Sequence, residues 1–194
     1  MTWTEFEREQ PALAAEGRRQ IYQWDTAVPA RGTTPGPPRA VRSGRPPAGR
    51  RDRPSIGLGF LATVRADGGP RVHPVCPVIS AAGLHVLAVA GPKQADLRRD
   101  GRYALHSDTC PPPRHEDGFS VTGRAREVTD PAVRRVVREQ ILAERGGSAW
   151  PGLDHDALFE LGVDRCLLML TEAGDTFPRG PTIWRARPPA SAPR

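Results

Sequence analysis

Residues 60–75 read Phe60-Leu61-Ala62-Thr63-Val64-Arg65-Ala66-Asp67-Gly68-Gly69-Pro70-Arg71-Val72-His73-Pro74-Val75. Phe60, Ala62 and Val64 alternate with Leu61, Thr63 and Arg65, which is the period of a strand. Asp67-Gly68-Gly69 supplies residues that tolerate the backbone of a tight hairpin turn. The extended pattern resumes from Arg71 to Ile79. Pro74 and Pro77 each remove a ladder donor there, so this second strand needs a sheet edge or a bulge. Ala82-Gly83 turns the chain into a third strand, Leu84 to Val89. The three are expected to form a meander of neighbouring antiparallel strands.

Downstream, Gly91-Pro92 opens a short helix, Lys93 to Arg99, since proline is favoured at the first helical position. Tyr103 to His106 reads as a fourth strand and Phe119 to Val128 as a fifth. Asp130-Pro131 caps a helix over 131–145, with Val133, Val136, Val137, Ile141 and Leu142 on its buried side. Leu158 to Leu170 holds a sixth strand, and Thr182-Ile183-Trp184 adds a last pairing. Upstream, residues 3–24 read as helical, with a capping box from Thr4 to Glu7. Pro11 divides that segment, and Trp3, Phe6, Leu13, Ile21 and Trp24 line its apolar face. The expected fold is mainly β (α+β), an antiparallel barrel of six to seven strands with short flanking helices.

The chain of 194 residues suits one folded domain. The expected division is a helical segment at 1–28, a Pro/Arg-rich insert at 29–55, the barrel at 56–186 and a frayed tail at 187–194. Residues 31–53 carry seven arginines against the single acid Asp52, enough to account for the whole net charge of +6. They hold almost nothing apolar, so the high pI belongs to a solvated insert and not to the barrel. No aromatic residue is interleaved there for base stacking, which argues against nucleic acid as a partner. No apolar run approaches the 18 or so residues of a membrane span. The three cysteines, Cys76, Cys110 and Cys166, are far apart and suit a reducing cytoplasm.

Gly57-Leu58-Gly59-Phe60-Leu61-Ala62 imitates a dinucleotide-binding glycine pattern, but it runs into a strand where that fingerprint opens a helix. The five histidines show no metal spacing, and His115-Glu116-Asp117 reads as a solvated polar turn. Cys76 reads as a small packed strand residue. The sharpest local feature is basic. Arg71 opens the second strand, and Lys93, the only lysine of the chain, sits in the first turn of the following helix. A helix N-terminus, an arginine fork and a lysine point charge together suit a phosphate. Between them His73, Pro74 and Val75 offer edge backbone and a flat apolar surface for a planar ring.

Three stretches carry a family resemblance. Residues 60–75 resemble the first hairpin of pyridoxamine 5'-phosphate oxidase-like proteins. Gly91-Pro92-Lys93-Gln94-Ala95-Asp96-Leu97-Arg98-Arg99 with the strand through Ser107 resembles their second block, and 119–130 the following strand. The resemblance implies a split β-barrel that binds flavin mononucleotide (FMN) and works as a homodimer with a flavin at each end of the interface. It implies cofactor contacts from Arg71, Val72, His73, Pro74, Val75, Gly91, Pro92 and Lys93, with Arg71 and Lys93 on the phosphate. The implied activity is hydride or electron transfer to a small molecule. The family also holds binders of the deazaflavin F420 and of haem, so an F420-dependent oxidoreductase, or a non-catalytic flavin or F420 carrier or sensor, stands as the alternative. The substrate-recognising arginine-histidine elements of the true oxidase are not evident near the C-terminus.

Overall fold

The computed structural model describes residues 1–22, 56–109, 114–172, 175, 177–178 and 180–187. The expected insert at 29–55, Trp24 and most of the tail lie outside these residues.

Two helices open the chain, α1 (Trp3–Glu9) and α2 (Pro11–Ile21), divided at Pro11 as the sequence predicts. The capping box lies two residues earlier than expected: Thr2 Oγ1 accepts from the Glu5 N–H, and Glu5 accepts from the Thr2 N–H. Both Thr-x-x-Glu spacings fit the motif. The register that wins is the one that buries Trp3 and Phe6 completely. Trp3 meets Phe6 edge-on at 5.3 Å and Phe119 at 6.1 Å, while Phe6 lies 4.9 Å from Trp184. The helices thus seat their aromatic face on the barrel. Gly17 permits this approach, since a Cβ there would lie 2.6 Å from Phe119 Cζ.

Nine strands follow: β1 (Gly59–Val64), β2 (Pro70–Val75), β3 (Val78–Ser80), β4 (Gly83–Ala88), β5 (Arg102–Ser107), β6 (Gly118–Glu127), β7 (Ala157–Leu161), β8 (Arg165–Met169) and β9 (Thr182–Arg185). Helix α3 (Pro92–Arg99) lies between β4 and β5, and α4 (Pro131–Glu144) between β6 and β7. All pairings are antiparallel, in the order β2-β1-β5-β6-β7-β4-β3, with β8 branching from β6 and carrying β9. This is a split β-barrel, mainly β with short helices.

Three strand expectations change. The run Arg71–Ile79 is two strands, broken at Cys76-Pro77, and β2 and β3 end up at opposite ends of the sheet path. Both expected hairpins are present, β1–β2 and β3–β4, the second turned at Ala82-Gly83, but the break parts them and β4 takes β7 as its other neighbour, so they do not form one continuous meander. Pro77 and Pro74 remove the donors that would keep one ladder continuous, and β2 takes the edge position that Pro74 demands. The run Leu158–Leu170 is likewise two strands, β7 and β8, turned at Gly162-Val163-Asp164. With these splits the described residues hold nine strand segments. The polar turn at His115-Glu116-Asp117 also differs, since Asp117 is buried and accepts from the Thr171 N–H at 2.6 Å.

The long strand β6 holds the barrel together. One edge pairs with β5; the other pairs with β8 over Gly118–Thr122 and with β7 over Ala125–Glu127. Gly123 marks the change of partner. There the β7–β8 turn crosses so closely that a Cβ would drive into the Gly162 carbonyl. The same carbonyl accepts from the Tyr103 hydroxyl at 2.8 Å, and Gly162 donates to Arg124 at 3.0 Å. Around this crossing Leu61, Leu105, Phe119, Val121, Phe159 and Leu161 form the main core. A second cluster, Val78, Val137, Ile141, Leu153 and Leu158, fixes α4 against β3 and β7.

Replacing Gly123 by alanine is expected to cost about 3 kcal/mol, the upper end of the range for overpacking. Urea denaturation of the variant against wild type measures it.

Candidate functional site

Helix α3 starts at Gly91, whose φ of 155° lies in the region that favours glycine. No side chain caps its first turn, so the N–H groups there are not taken by a capping residue. The helix is held down by its other end. Asp96 is 3% exposed, yet it is a carboxylate. It accepts from Arg71 Nε at 2.7 Å, Thr63 Oγ1 at 3.1 Å and an Arg99 terminal nitrogen at 3.1 Å. Burial alone would push the Asp96 carboxyl up. The hydrogen bonds from Arg71, Arg99 and Thr63 outweigh burial and hold it below the ordinary aspartate range.

Beside α3 lies a cavity of about 340 Å³, within the size range of small-molecule sites. Pro74 and Val75 from β2, Val78 from β3 and Leu87 from β4 give it apolar walls. Lys93 enters from the first turn of α3, and Ile141, Glu144 and Arg145 from the last turn of α4. Cys76, Trp150 and Asp156 complete the charged and polar lining. The Arg145 guanidinium carbon stands 5.0 Å from the centre of a Trp150 ring, a cation–π distance. Trp150 Nε1 donates to Asp156 at 3.4 Å.

Burial lowers the pKa of Lys93, against the opposing pull of Cys76 and Asp156. Burial also raises the thiol of Cys76, with Arg145 and Lys93 opposing and Glu144 adding to the rise. Glu144 is buried, and its pKa is raised for the same reason.

Of the eight sequence-predicted residues, Pro74, Val75 and Lys93 meet at this cavity. Gly91 and Pro92 start the helix that carries Lys93. Arg71 does not line the cavity; its Nε is committed to Asp96, on the same helix as Lys93. His73 sits on the inward side of β2 with Arg71 and Val75, and its Nε2 is buried without a hydrogen-bond partner. Val72 points to the opposite, outer face and is 60% exposed. Cys76 is not a packed strand residue: it is exposed in the link between β2 and β3. The α4 side of the cavity was not foreseen at all. Among the described residues no group of His, Cys, Asp and Glu is placed to hold a metal ion, and no helix is long and apolar enough to cross a membrane.

Comparison with known proteins agrees with this architecture. The sequence profile of a family described as pyridoxamine 5'-phosphate oxidase matches residues 49–169. A search of curated proteins finds no match. Among solved structures, Campylobacter jejuni ChuZ aligns with a TM-score of 0.52 at 10% identity, over 59% of this chain and 50% of that one. HutZ, the heme storage protein of Vibrio cholerae, aligns at 0.49 and 20% identity, over 57% and 84%. A putative pyridoxamine 5'-phosphate oxidase of Listeria innocua aligns at 0.48 and 14% identity, over 57% and 86%.

Asp96→Asn removes the charge on which two arginines converge and is expected to cost about 2 kcal/mol at neutral pH, the scale of hydrogen bonds to a charged group. A carboxylate with a depressed folded-state pKa contributes above its unfolded value and loses that contribution as pH falls through the folded one. The gap between wild type and variant should therefore close below a pH of about 4. Denaturant titrations at several pH values read it.

Proposed function

The chain belongs to the pyridoxamine 5'-phosphate oxidase family, and from that membership we propose that it is a flavin-dependent oxidoreductase, with FMN held at the cavity between β2, α3 and α4. The observation that carries the reading is Lys93. A half-buried ammonium stands in the first turn of an uncapped helix at the edge of an apolar cavity. Such a place favours a phosphate, through the dipole, the free N–H groups and the point charge. A bound anion would also favour the charged form of Lys93, which burial disfavours.

The remaining residues suit the rest of the group. Pro74, Val75 and Leu87 give a flat apolar wall for a ring system. β2 is an edge strand that, among the described residues, pairs only with β1, so its outer edge keeps backbone groups for ring carbonyls. When bound, a flavin supplies a ring that takes up and returns a hydride. The protein's part is to anchor the tail at Lys93, keep α3 in place through Arg71 and Asp96, and exclude water with the α4 side chains. F420 is the alternative occupant, and a carrier without turnover is the alternative role.

The working unit is a homodimer formed through the outer face of the sheet. The strand registers bring Pro74, Phe60, His106, Ser120, Leu167 and Ile183 into one row across five pairings. Val72, Ala62 and Ala104 lie in the next row. Phe60, Val72 and Ile183 are 41%, 60% and 45% exposed. The second row continues through Thr122 into Arg165 and Arg185, so the face is apolar on the β2–β1 side and basic toward β9. Its exposed apolar residues fit a second copy of the chain.

Fluorescence titration with FMN and with F420 identifies the cofactor, and binding of neither would overturn the reading. Lys93→Ala is expected to weaken binding by about 10- to 100-fold, the equivalent of one charge-assisted phosphate contact. Val72→Glu is expected to leave the fold intact, since the side chain is exposed, and to shift sedimentation from dimer to monomer.

A further inference from the structure

Glu144 lies on the buried face of α4, following Val137 and Ile141 at helical spacing. A carboxyl on an apolar stripe needs a reason. It is 7% exposed and lines the cavity. Its Oε1 accepts from the Tyr22 hydroxyl at 2.7 Å and from Gln140 Nε2 at 2.9 Å. Tyr22 accepts in turn from the Ile79 N–H at 2.9 Å, which aims the hydroxyl proton at Glu144. Both bonds fall on Oε1, which leaves Oε2 for the cavity. Tyr22 caps the end of α2, outside the stretch that the family profile matches. The brace is thus built by this chain's own N-terminal helix.

The groups around the carboxyl come from every side: Arg18 from α2, Cys76 from the β2–β3 link, Lys93 from α3, Arg145 from α4 and Asp156 ahead of β7. Burial raises the carboxyl. Gln140, Tyr22 and Arg18 pull it back without reversing the shift. Arg145 Nε is buried and has no hydrogen-bond partner.

We propose that Glu144 is the proton donor of the cavity, positioned by Tyr22, in the reduction of a polarised double bond, and that the Arg145 guanidinium, which also lines the cavity, holds the electron-withdrawing oxygen of that substrate. This rests on the flavin reading above. When bound, a reduced flavin would supply the hydride that adds to one end of the double bond. The π pair moves toward the oxygen held at Arg145, and the other end takes the Glu144 proton. The products are the saturated compound, a flavin oxidised by two electrons and a Glu144 carboxylate, which water at the cavity mouth reprotonates. A reduced nicotinamide nucleotide is the class of donor that returns the electrons.

Two measurements test it in wild type, Glu144→Gln and Tyr22→Phe. The first is an infrared pH titration of the protein without added cofactor. Wild type should show a protonated-carboxyl band that is absent from Glu144→Gln and is lost at a midpoint above the ordinary glutamate range. In Tyr22→Phe its midpoint should move to higher pH, because the lost hydrogen bond favoured the charged form. The second is anaerobic reoxidation of the photoreduced, FMN-loaded protein by 2-cyclohexen-1-one. The wild-type rate should fall as pH rises through the same midpoint, and the fall should shift upward in Tyr22→Phe. Glu144→Gln should react about 100-fold more slowly, with no pH dependence in that range, the lower scale of general-acid catalysis. A band that persists in Glu144→Gln, a Glu144→Gln rate and pH profile like wild type, or a wild type inert toward the probe overturns the proposal. A protein that binds no FMN overturns the flavin reading instead, and the infrared titration still decides whether Glu144 holds a proton.

Discussion

The candidate site depends on one buried carboxylate. Asp96 ties together Thr63 of β1, Arg71 of β2 and Arg99 of its own helix. An ion of this kind, left unpaired, would cost several kcal/mol in the interior. Paired, it fixes α3 against the first hairpin. Lys93 stands one turn earlier on that helix, so the same clamp sets where the ammonium enters the cavity. Arg71 is therefore first a structural residue. With its Nε committed to Asp96, only its terminal nitrogens remain for any anion.

The parts of the fold legible in the sequence are those written in local chemistry. The β1–β2 hairpin follows from alternation and Asp67-Gly68-Gly69. The α3 start follows from Gly91-Pro92, and the α4 start from Asp130, whose side chain accepts from the Ala132 N–H. What local chemistry does not encode is which strands pair across long distances. β4 lies beside β7, more than 60 residues away, and nothing in either segment names the other. The break at Cys76-Pro77 shows the limit from the other side. Its prolines signalled a disturbance of the ladder, but whether that meant a bulge or a jump across the barrel depended on tertiary packing. The two overlapping capping boxes were settled in the same way, by burial of Trp3 and Phe6.

Legibility of the site followed the same division. Pro74, Val75 and Lys93 belong to consecutive local motifs and do meet. Alternate strand residues point to opposite faces, and only at the end of β2, beside the break at Cys76-Pro77, do two neighbours, Pro74 and Val75, both reach the cavity. Val72 accordingly belongs to the outer sheet face. The α4 contribution had one signal that went unused: Glu144 continues the spacing of Val137 and Ile141, so a carboxyl was marked for burial by position alone.

The charges of the cavity then form a coupled set. Burial disfavours the charged forms of both Lys93 and Glu144, lowering one pKa and raising the other. An anion arriving beside Lys93 acts on both. It favours the ammonium, and its field also opposes ionisation of the carboxyl across the cavity. Gln140, Tyr22 and Arg18 work against the second effect by favouring the carboxylate. The protonation state of Glu144 would then be set by a contest between burial and an anchored anion on one side and these three groups on the other. A ligand with a negatively charged tail biases that contest toward the protonated acid, so the group that needs a proton partner is also the group that helps to keep the proton in place.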